Sequence, residues 1–304
     1  MSIDLRHLRC FVAVAEELHF RRAAERLGIA QPALSRTIFN LEKELGVTLF
    51  ERTNRIIDIT TTGKTFLEGS YRVLHRMERT VENTRRVHQG KIGSLRIGYT
   101  DNAISGCVPD ILKNFQDLQP DIDLQLHHCV TAVQLRNLED KELDIGFVTG
   151  AINRKNFETQ LVQSEEFVCV VYKGHPLAHR KSIRLSELAE EDIIHGTSTD
   201  WEYFFSYLIP LCRKSGFEPK IVQEGLNTTA ILGLVSCGMG ITILTECVRN
   251  LIGSSLVVIP LEQTHERLET VAIWKTDKTD GAKNRFVKFL ELQAQTIDDV
   301  HLRR

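Results

Sequence analysis

Apolar residues recur at helical spacing near the start of the chain. In the stretch GIAQPALSRTIFNLEKELG, from Gly28 to Gly46, four apolar residues are separated by four, three and four positions. They are Leu34, Ile38, Leu41 and Leu45. This spacing predicts a helix that buries one face. The proline suits its first turn, and the final glycine suits the position just after its end.

Two further helices are predicted before this one. LRHLRCFVAVAEEL, which begins at Leu5, carries most of its apolar residues on one side, and FRRAAERLG, from Phe20 to Gly28, has two alanines and a leucine at helical spacing. Only a few residues link the second helix to the third. Two helices joined by a short glycine-containing turn predict a helix-turn-helix, whose second helix enters the major groove of DNA.

The face of the third helix opposite its apolar stripe offers amide, hydroxyl and cationic groups. Gln and Arg can form bidentate hydrogen bonds with adenine and guanine edges. The candidates for DNA contact on this helix are Gln31, Pro32, Ser35, Arg36 and Phe39. The alternative is an ordinary solvated face. Phe39 has two interpretations of its own: it touches a thymine methyl group, or neighbouring side chains cover it.

Two β-prone runs follow, around residues 48–52 and 56–60, on either side of a Thr53-Asn54 turn. They predict the β-ribbon wing of a winged helix. Arg52 and Arg55 lie at or near its tip, where they could reach a phosphate or the minor groove. The alternative is that both are solvated turn charges.

The stretch from Thr62 to about Gln89 contains no proline and predicts one long helix. Seven of its residues follow strict three-four spacing: Leu67, Ser70, Leu74, Met77, Val81, Thr84 and His88. Such a narrow seam predicts a dimerisation helix. A dimer would present two recognition helices to two half-sites of DNA.

Beyond residue 90, β-prone runs alternate with helical patterns. LRIGYT, IDLQLHH and DIGFVTG are predicted strands, and VPDILKNFQDL and VQLRNLEDKEL are predicted helices. This order predicts a parallel sheet with helices on its faces. The pattern restarts near Glu165 with FVCVVYKGHPLA, so two α/β lobes with a ligand cleft between them are expected. In the second lobe, Thr199 and Glu202 form a capping-box signature.

Charged residues are unevenly distributed along the chain. Residues 1–90 hold 15 Lys and Arg against 11 Asp and Glu, a net charge of +4, whereas the remainder carries −6. The basic excess accompanies the helix-turn-helix, as phosphate contact requires.

No apolar run approaches the roughly 20 residues of a membrane span, and the charged N-terminus MSIDLRHLRC is unlike a secretory signal. Seven scattered cysteines without a CxxC pair fit reduced thiols, so a cytoplasmic protein is expected.

Taken in order, these segments resemble the LysR-type transcriptional regulators over the whole chain. The specific part is LRHLRCFVAVAEE, FRRAAERLGIAQPALSRTIFNLEKELG and LFERTNRIIDITTTG, with weaker likeness in LDIGFV, GHPLA and LVSCGMGITIL. Gln31, Pro32, Ser35 and Arg36 match the family's recognition helix, and Arg52 and Arg55 match its wing.

The chain departs from the family's usual pattern at a few positions. Ser-Phe-Thr is usual where this chain has His19-Phe20-Arg21, which removes a threonine cap and supplies Arg21 as a candidate phosphate contact. A polar residue is usual at Phe39.

The resemblance implies an all-α winged helix-turn-helix domain over residues 1–61 and a linker helix over 62–90. It implies a two-lobed α/β effector domain over 91–304, similar to periplasmic binding proteins, with lobe I at 91–163 and 267–304 and lobe II at 164–266. It further implies a tetramer built as a dimer of dimers that binds promoter DNA, responds to a small molecule and has RNA polymerase as a candidate partner.

The resemblance also places the effector in the cleft, between loops at strand ends and helix starts. The implied effector-binding residues are Thr100, Asp101, Asn102, Thr131, Thr149, Thr197, Ser198 and Asn227, and Trp201, Tyr203 and Phe204 are candidates for an aromatic wall. Helix capping is the alternative role for each hydroxyl or amide. Because no Lys or Arg occurs in residues 100–106, 128–134, 195–204 or 226–232, we expect a monocarboxylate or another ligand of modest charge.

Other classes of function fit less well. No nucleophile elbow or P-loop is present, so no catalytic residue or cofactor is predicted. His127, His128 and Cys129 are adjacent in a predicted strand and cannot easily converge on one metal ion. A solute-binding protein would need a signal peptide. A redox sensor on the same scaffold stays an alternative, with Cys107 and Cys129 near strand ends as its main candidates and Cys169 and Cys237 expected in the core.

Overall fold

The computed structural model describes residues 3–52, 57–88, 93–262, 264, 266–276 and 281–301. The chain divides into two compact units, Met1–Gly90 and Lys91–Arg304. The elements of the first unit are α1 (Leu5–Glu17), α2 (Phe20–Leu27), α3 (Gln31–Leu45), β1 (Phe50–Arg52), β2 (Ile57–Ile59) and α4 (Thr61–His88). The two strands pair antiparallel, so the predicted wing is present as a ribbon.

Local sequence signals set the bounds of α3. Pro32 lies in its first turn, and Gly28 and Gly46 follow α2 and α3 with φ of 65° and 69°. These left-handed conformations suit glycine, which has no Cβ to clash. The start of α2 differs from expectation, because His19 occupies the N-cap position and its Nδ1 accepts the N–H of Arg22 at 3.4 Å. The absence of a threonine at position 21 therefore removes no cap.

The core of the first unit lies where α1, α3 and the start of α4 meet. Leu34, Ile38 and Leu41 are fully buried, and the ring of Phe11 contacts those of Phe50 and Phe66 at centroid distances of 5.3 and 5.0 Å. The predicted dimerisation seam needs correction in its first half. Leu67 and Leu74 pack against this same core, and Ser70 is buried, so the first turns of α4 belong to the winged helix itself.

The second unit contains a mixed sheet with helices on its faces. Its strands are β3 (Gly93–Tyr99), β4 (Ile122–His128), β5 (Ile145–Thr149), β6 (Phe157–Tyr172), β7 (Ile183–Arg184), β8 (Ile193–Gly196), β9 (Ile221–Gly225), β10 (Thr242–Thr245), β11 (Leu256–Glu262) and β12 (Arg267–Lys275). Its α-helices are α5 (Asp101–Ser105), α6 (Val108–Leu118), α7 (Thr131–Glu139), α8 (Glu202–Lys214), α9 (Thr228–Ser236) and α10 (Gly281–His301).

The strand order divides this unit into two lobes. The main sheet runs β4-β3-β5-β12-β6-β11-β7, with β10 also on β6, and β8 pairs with β9. The prediction of a parallel sheet is confirmed for β3 with β4 and β5, whereas β12 runs antiparallel to β5 and β6 and makes the sheet mixed. Nine of the first ten residues of β6 pair with β12, and the last six pair with β10 and β11. Strand β6 therefore connects lobe I to lobe II.

Two other expectations are corrected in these lobes. Strand β6 begins at Phe157, well before the apolar run FVCVVY, because its mostly polar first half is held in the sheet by pairing with β12. Helix α8 has Trp201 at its N-cap without a side-chain cap, so the capping box of Thr199 and Glu202 does not form. Instead, the hydroxyl of Thr197 accepts the N–H of Asp200 at 3.2 Å in the preceding turn.

Candidate functional site

The predicted DNA-contacting side chains of α3 share one exposed face. Gln31, Pro32 and Arg36 are exposed, and the Gln31 amide donates to the Ser35 hydroxyl at 3.2 Å. Phe39 is 60% exposed, so neighbouring side chains do not cover it. This face therefore presents two hydrogen-bonding groups, a cation and an aromatic ring toward solvent.

The other predicted DNA contacts are less well defined. Arg21 is exposed on α2 and pairs with Glu25 at 3.0 Å, one turn further along. The backbone of Arg52 ends β1, but its side chain is outside the described part of the structure. Arg55 lies outside the described residues altogether.

The second unit has a cavity of about 450 Å³ between its lobes. Seven of the predicted effector-binding residues line it: Thr100, Asp101, Asn102, Thr131, Thr149, Trp201 and Tyr203. Five further residues complete its wall: His128, Val130, Asp200, Phe204 and Leu226. Among these, Phe204 was predicted for the aromatic wall.

Three threonine hydroxyls meet on the lobe I side of this cavity. The Thr131 hydroxyl, at the start of α7, accepts the N–H of Thr149 at 3.0 Å. The hydroxyls of Thr149 and Thr100 are 3.4 Å apart, and Thr100 also caps α5 by accepting the N–H of Ala103. They converge because β3 and β5 are parallel neighbours whose carboxyl ends lie at the same edge of the sheet.

An aromatic layer forms the lobe II side. The buried ring of His195 lies under it, with its centroid 5.1 Å from that of Trp201 and 4.9 Å from that of Phe204. Its Nε2 donates to the carbonyl of Ile243 at 3.2 Å, and its Nδ1 accepts the N–H of Gly196 at 2.8 Å. Burial lowers the pKa of His195 to about 4, so the ring is neutral at physiological pH.

Three predicted effector-binding residues do not line the cavity. Thr197 is half-buried and Ser198 is exposed just before α8, and Asn227 caps α9 by accepting the N–H of Ala230 at 2.9 Å. Four residues of the cavity wall were not predicted for it: His128, Val130, Asp200 and Leu226. Of these, His128 ends β4 and Leu226 follows β9. Position at a strand end was the signal that could have found both.

Asp101 links the two lobes across the cavity. Its Oδ2 accepts the backbone N–H of Thr228, the first residue of α9 in lobe II, at 2.9 Å. Its Oδ1 lies 2.8 Å from Nε2 of His128 in lobe I. On another side of the cleft, the N–H of Ala151 donates to the Tyr207 hydroxyl at 2.9 Å.

The cysteines near the cleft have the properties of inert thiols. Burial raises the pKa of both Cys107 and Cys129 to about 11, so each is protonated at neutral pH. Because the thiolate is the reactive form, these environments disfavour a redox switch. Cys169 is fully buried as expected, whereas Cys237 is exposed at the end of α9, so its prediction as a core residue is wrong.

Two family models match the chain. The bacterial regulatory helix-turn-helix model of the lysR family matches residues 5–64, and the LysR substrate binding domain matches residues 88–295. None of the helices in the described residues is long and apolar enough to cross a membrane.

Relatives and a solved structure agree with this match. The chain is 31% identical to the regulator AlsR of Bacillus subtilis (strain 168) over 96% of both chains. It is 35% identical to the uncharacterized regulator YnfL of Escherichia coli (strain K12), over 93% of this chain and 97% of that one. The structure of full-length CbnR complexed with its target DNA matches with a TM-score of 0.82 and 25% identity, covering 95% of this chain and 99% of that chain. The chain thus belongs to the LysR family of transcriptional regulators and is not an enzyme.

Proposed function

We propose that this regulator binds promoter DNA through α3 as an oligomer in the cytoplasm and changes transcription when a small organic acid enters the cleft between its lobes. Two features of the same chain carry the proposal. One is the exposed polar face of α3, and the other is a cavity whose lobe I wall includes three convergent hydroxyls. The first feature supports DNA contact, and the second supports a hydrogen-bonded ligand.

The proposal for DNA rests on the exposed face of α3. Gln31 and Arg36 carry the side chains that read adenine and guanine edges, and CbnR, which has a similar structure, was solved with its target DNA. A fragment selected from genomic DNA by the purified protein provides the binding site for titration. Arg36→Ala should weaken binding by about 1–3 kcal/mol.

The matched control removes a cation from the second unit. Lys113 is exposed and pairs with Asp117, so Lys113→Ala should leave binding to the selected fragment unchanged. Equal affinities for the two variants would contradict a role for α3 in recognition.

The proposal for a monocarboxylate rests on the charges of the cavity. No Lys or Arg is among its described lining residues, whereas Asp101 and Asp200 each bring a carboxylate to its wall. A second negative charge on a ligand would meet repulsion without a cation to offset it. One carboxylate could still be held by the hydroxyls of Thr100, Thr131 and Thr149 and by the free N–H groups at the start of α7.

A thermal-melting panel tests this choice of ligand. Benzoate, other monocarboxylates and dicarboxylates such as succinate are compared, because a ligand that binds only the folded protein raises its melting temperature. We expect monocarboxylates to raise the melting temperature, and we expect Thr100→Val to reduce this rise. Shifts from dicarboxylates alone would contradict the proposal.

The proposal for an oligomer rests on an open apolar groove in the first unit. The groove lies between α1, the end of α3 and the start of α4, and its lining includes Leu8, Leu45, Val47, Phe66 and Val73. Val73 is 49% exposed there, and Val81 is also exposed further along α4. We propose that α4 of a second copy covers the groove. A dimer of such dimers then gives the tetramer.

A further inference from the structure

We propose that Asp101 is an interlobe latch that holds the empty cleft closed and that an entering effector must displace. Its carboxylate bonds the two lobes at one point: Oδ2 accepts the N–H of Thr228 in lobe II at 2.9 Å, and Oδ1 lies 2.8 Å from Nε2 of His128 in lobe I. Both oxygens are thus engaged by protein groups that belong to opposite sides of the cleft.

The position of the latch divides the cleft. A second, smaller cavity of about 250 Å³ lies beyond the first, and Asp101, Asn102, Trp201 and Phe204 line both. The remaining wall of the second cavity includes Thr228 and Cys247. Separating Asp101 from Thr228 would join the two cavities and admit solvent to the sulfur of Cys247, which is buried in the closed form.

The latch occupies a place where an anion would otherwise bind. The N–H of Thr228 belongs to the first turn of α9, whose backbone N–H groups have no partner within the helix. Such groups favour a negative charge, and here the chain supplies its own carboxylate. A ligand oxygen that accepted the N–H of Thr228 would compete with Asp101, so ligand binding and the opening of the latch are coupled. This consequence for regulation rests on the proposed effector function, whereas the latch itself rests on the contacts alone.

Other bonds keep the lobes together when the latch is broken. Asn250 donates to the carbonyl of Ser105 at 2.8 Å, and Ala151 donates to Tyr207 at 2.9 Å. We therefore expect variants of the latch to fold and to differ from the wild type in the opening of the cleft.

The test uses the full chain without ligand and two ways of breaking the bond. Asp101→Ala removes the acceptor. Thr228→Pro removes only the donor N–H and the threonine side chain, at the first helical position, where proline is well tolerated. The preceding residue, Asn227, has φ −153° and ψ 170°, an extended conformation compatible with a following proline. Thr228→Ala is the matched control, because it loses the side chain but keeps the N–H.

The readout is the rate at which iodoacetamide modifies each cysteine, followed by peptide mass spectrometry. Loss of a hydrogen bond to a charged group corresponds to about a tenfold or larger rise in the open fraction. Cys247 should therefore react about tenfold faster in Asp101→Ala and Thr228→Pro, and at the wild-type rate in Thr228→Ala. Cys169, buried in the core of lobe II, reports unfolding and should stay unreactive in all four proteins.

Two results would overturn the latch. One is an unchanged Cys247 rate in both breaking variants, and the other is an equal rise in Thr228→Ala. If Cys169 becomes reactive in one breaking variant, that variant has lost its fold, and the other decides the outcome. Because no ligand is present, failure here leaves the effector proposal standing, and a melting panel without hits leaves this result standing.

Discussion

The indole of Trp201 lies directly over the backbone of Gly196, at the end of β8. A Cβ atom at Gly196 would lie 2.1 Å from Cδ1 of the indole, closer than any real contact. The aromatic wall of the cavity therefore depends on the absence of a side chain at Gly196. The φ of this glycine is not in the left-handed region, so space and not conformation is what selects glycine here.

Gly196→Ala should displace Trp201 and lower the free energy of unfolding by about 1–3 kcal/mol. Tryptophan fluorescence would report the displacement, and urea unfolding would report the stability. Gly233→Ala is the control, because nothing lies within 4 Å of its Cβ position in α9 and alanine favours a helix by up to about 1 kcal/mol. Two variants of equal stability and equal fluorescence would show that Gly196→Ala does not displace the indole.

His195 should make the protein less stable in mild acid. Its pKa is lowered from 6.5 to about 4 by burial, so below pH 6.5 the unfolded chain binds a proton that the folded chain does not. Stability is therefore lost as the pH falls from about 6.5 to about 4, by up to roughly 3 kcal/mol. Urea unfolding at pH 7 and pH 5 measures the loss, which should be smaller in His195→Gln. An identical loss in the variant would assign it to other groups.

Thr131 should be more important for its hydroxyl than for its size. Thr131→Val leaves the buried N–H of Thr149 without its acceptor, at a cost of about 1–3 kcal/mol in unfolding free energy. Thr131→Ser keeps the hydroxyl and should lose less. Thermal melting of the two variants without ligand makes the comparison. The reverse order would mean that the methyl group, and not the hydrogen bond, stabilises this corner.

Val73→Glu should dissociate the oligomer without unfolding the chain. Val73 lines the groove of the first unit, and a carboxylate there would be buried without a partner when a second copy docks. Light scattering after gel filtration measures the mass, and circular dichroism confirms the fold. Thr80→Glu is the control, since Thr80 is exposed on α4 and is absent from the lining of the groove. Equal masses for the two variants would contradict docking at the groove.

Much of this structure was predictable from local patterns. The stripe of Leu34, Ile38 and Leu41 and the glycines that end α2 and α3 determine the recognition helix, because spacing and left-handed caps are properties of a few adjacent residues. The hydroxyls of Thr100 and Thr149 could be anticipated for a similar reason. Thr100 directly follows β3 and Thr149 ends β5, two strands that their apolar runs predict.

Contacts between distant segments were not predictable in this way. Whether Thr197 or Asp200 faces the cavity depends on how the turn before α8 folds over Gly196. The extent of β6 was missed because its first half gains its pairing from β12, more than a hundred residues later. The bond between Asp101 and Thr228 likewise joins two distant segments, and nothing in the sequence of either segment indicates contact with the other.

Strand β6 runs from Phe157 to Tyr172 through both lobes. Since side chains alternate between the faces of a strand, one residue inserted or deleted near its middle would turn every later side chain to the opposite face. Phe167, Cys169 and Val171 would then exchange faces with Val168 and Val170, and all five are buried in the core of lobe II. A change of length within β6 would therefore force buried side chains on both of its faces to repack, a cost that a change at an exposed turn does not carry.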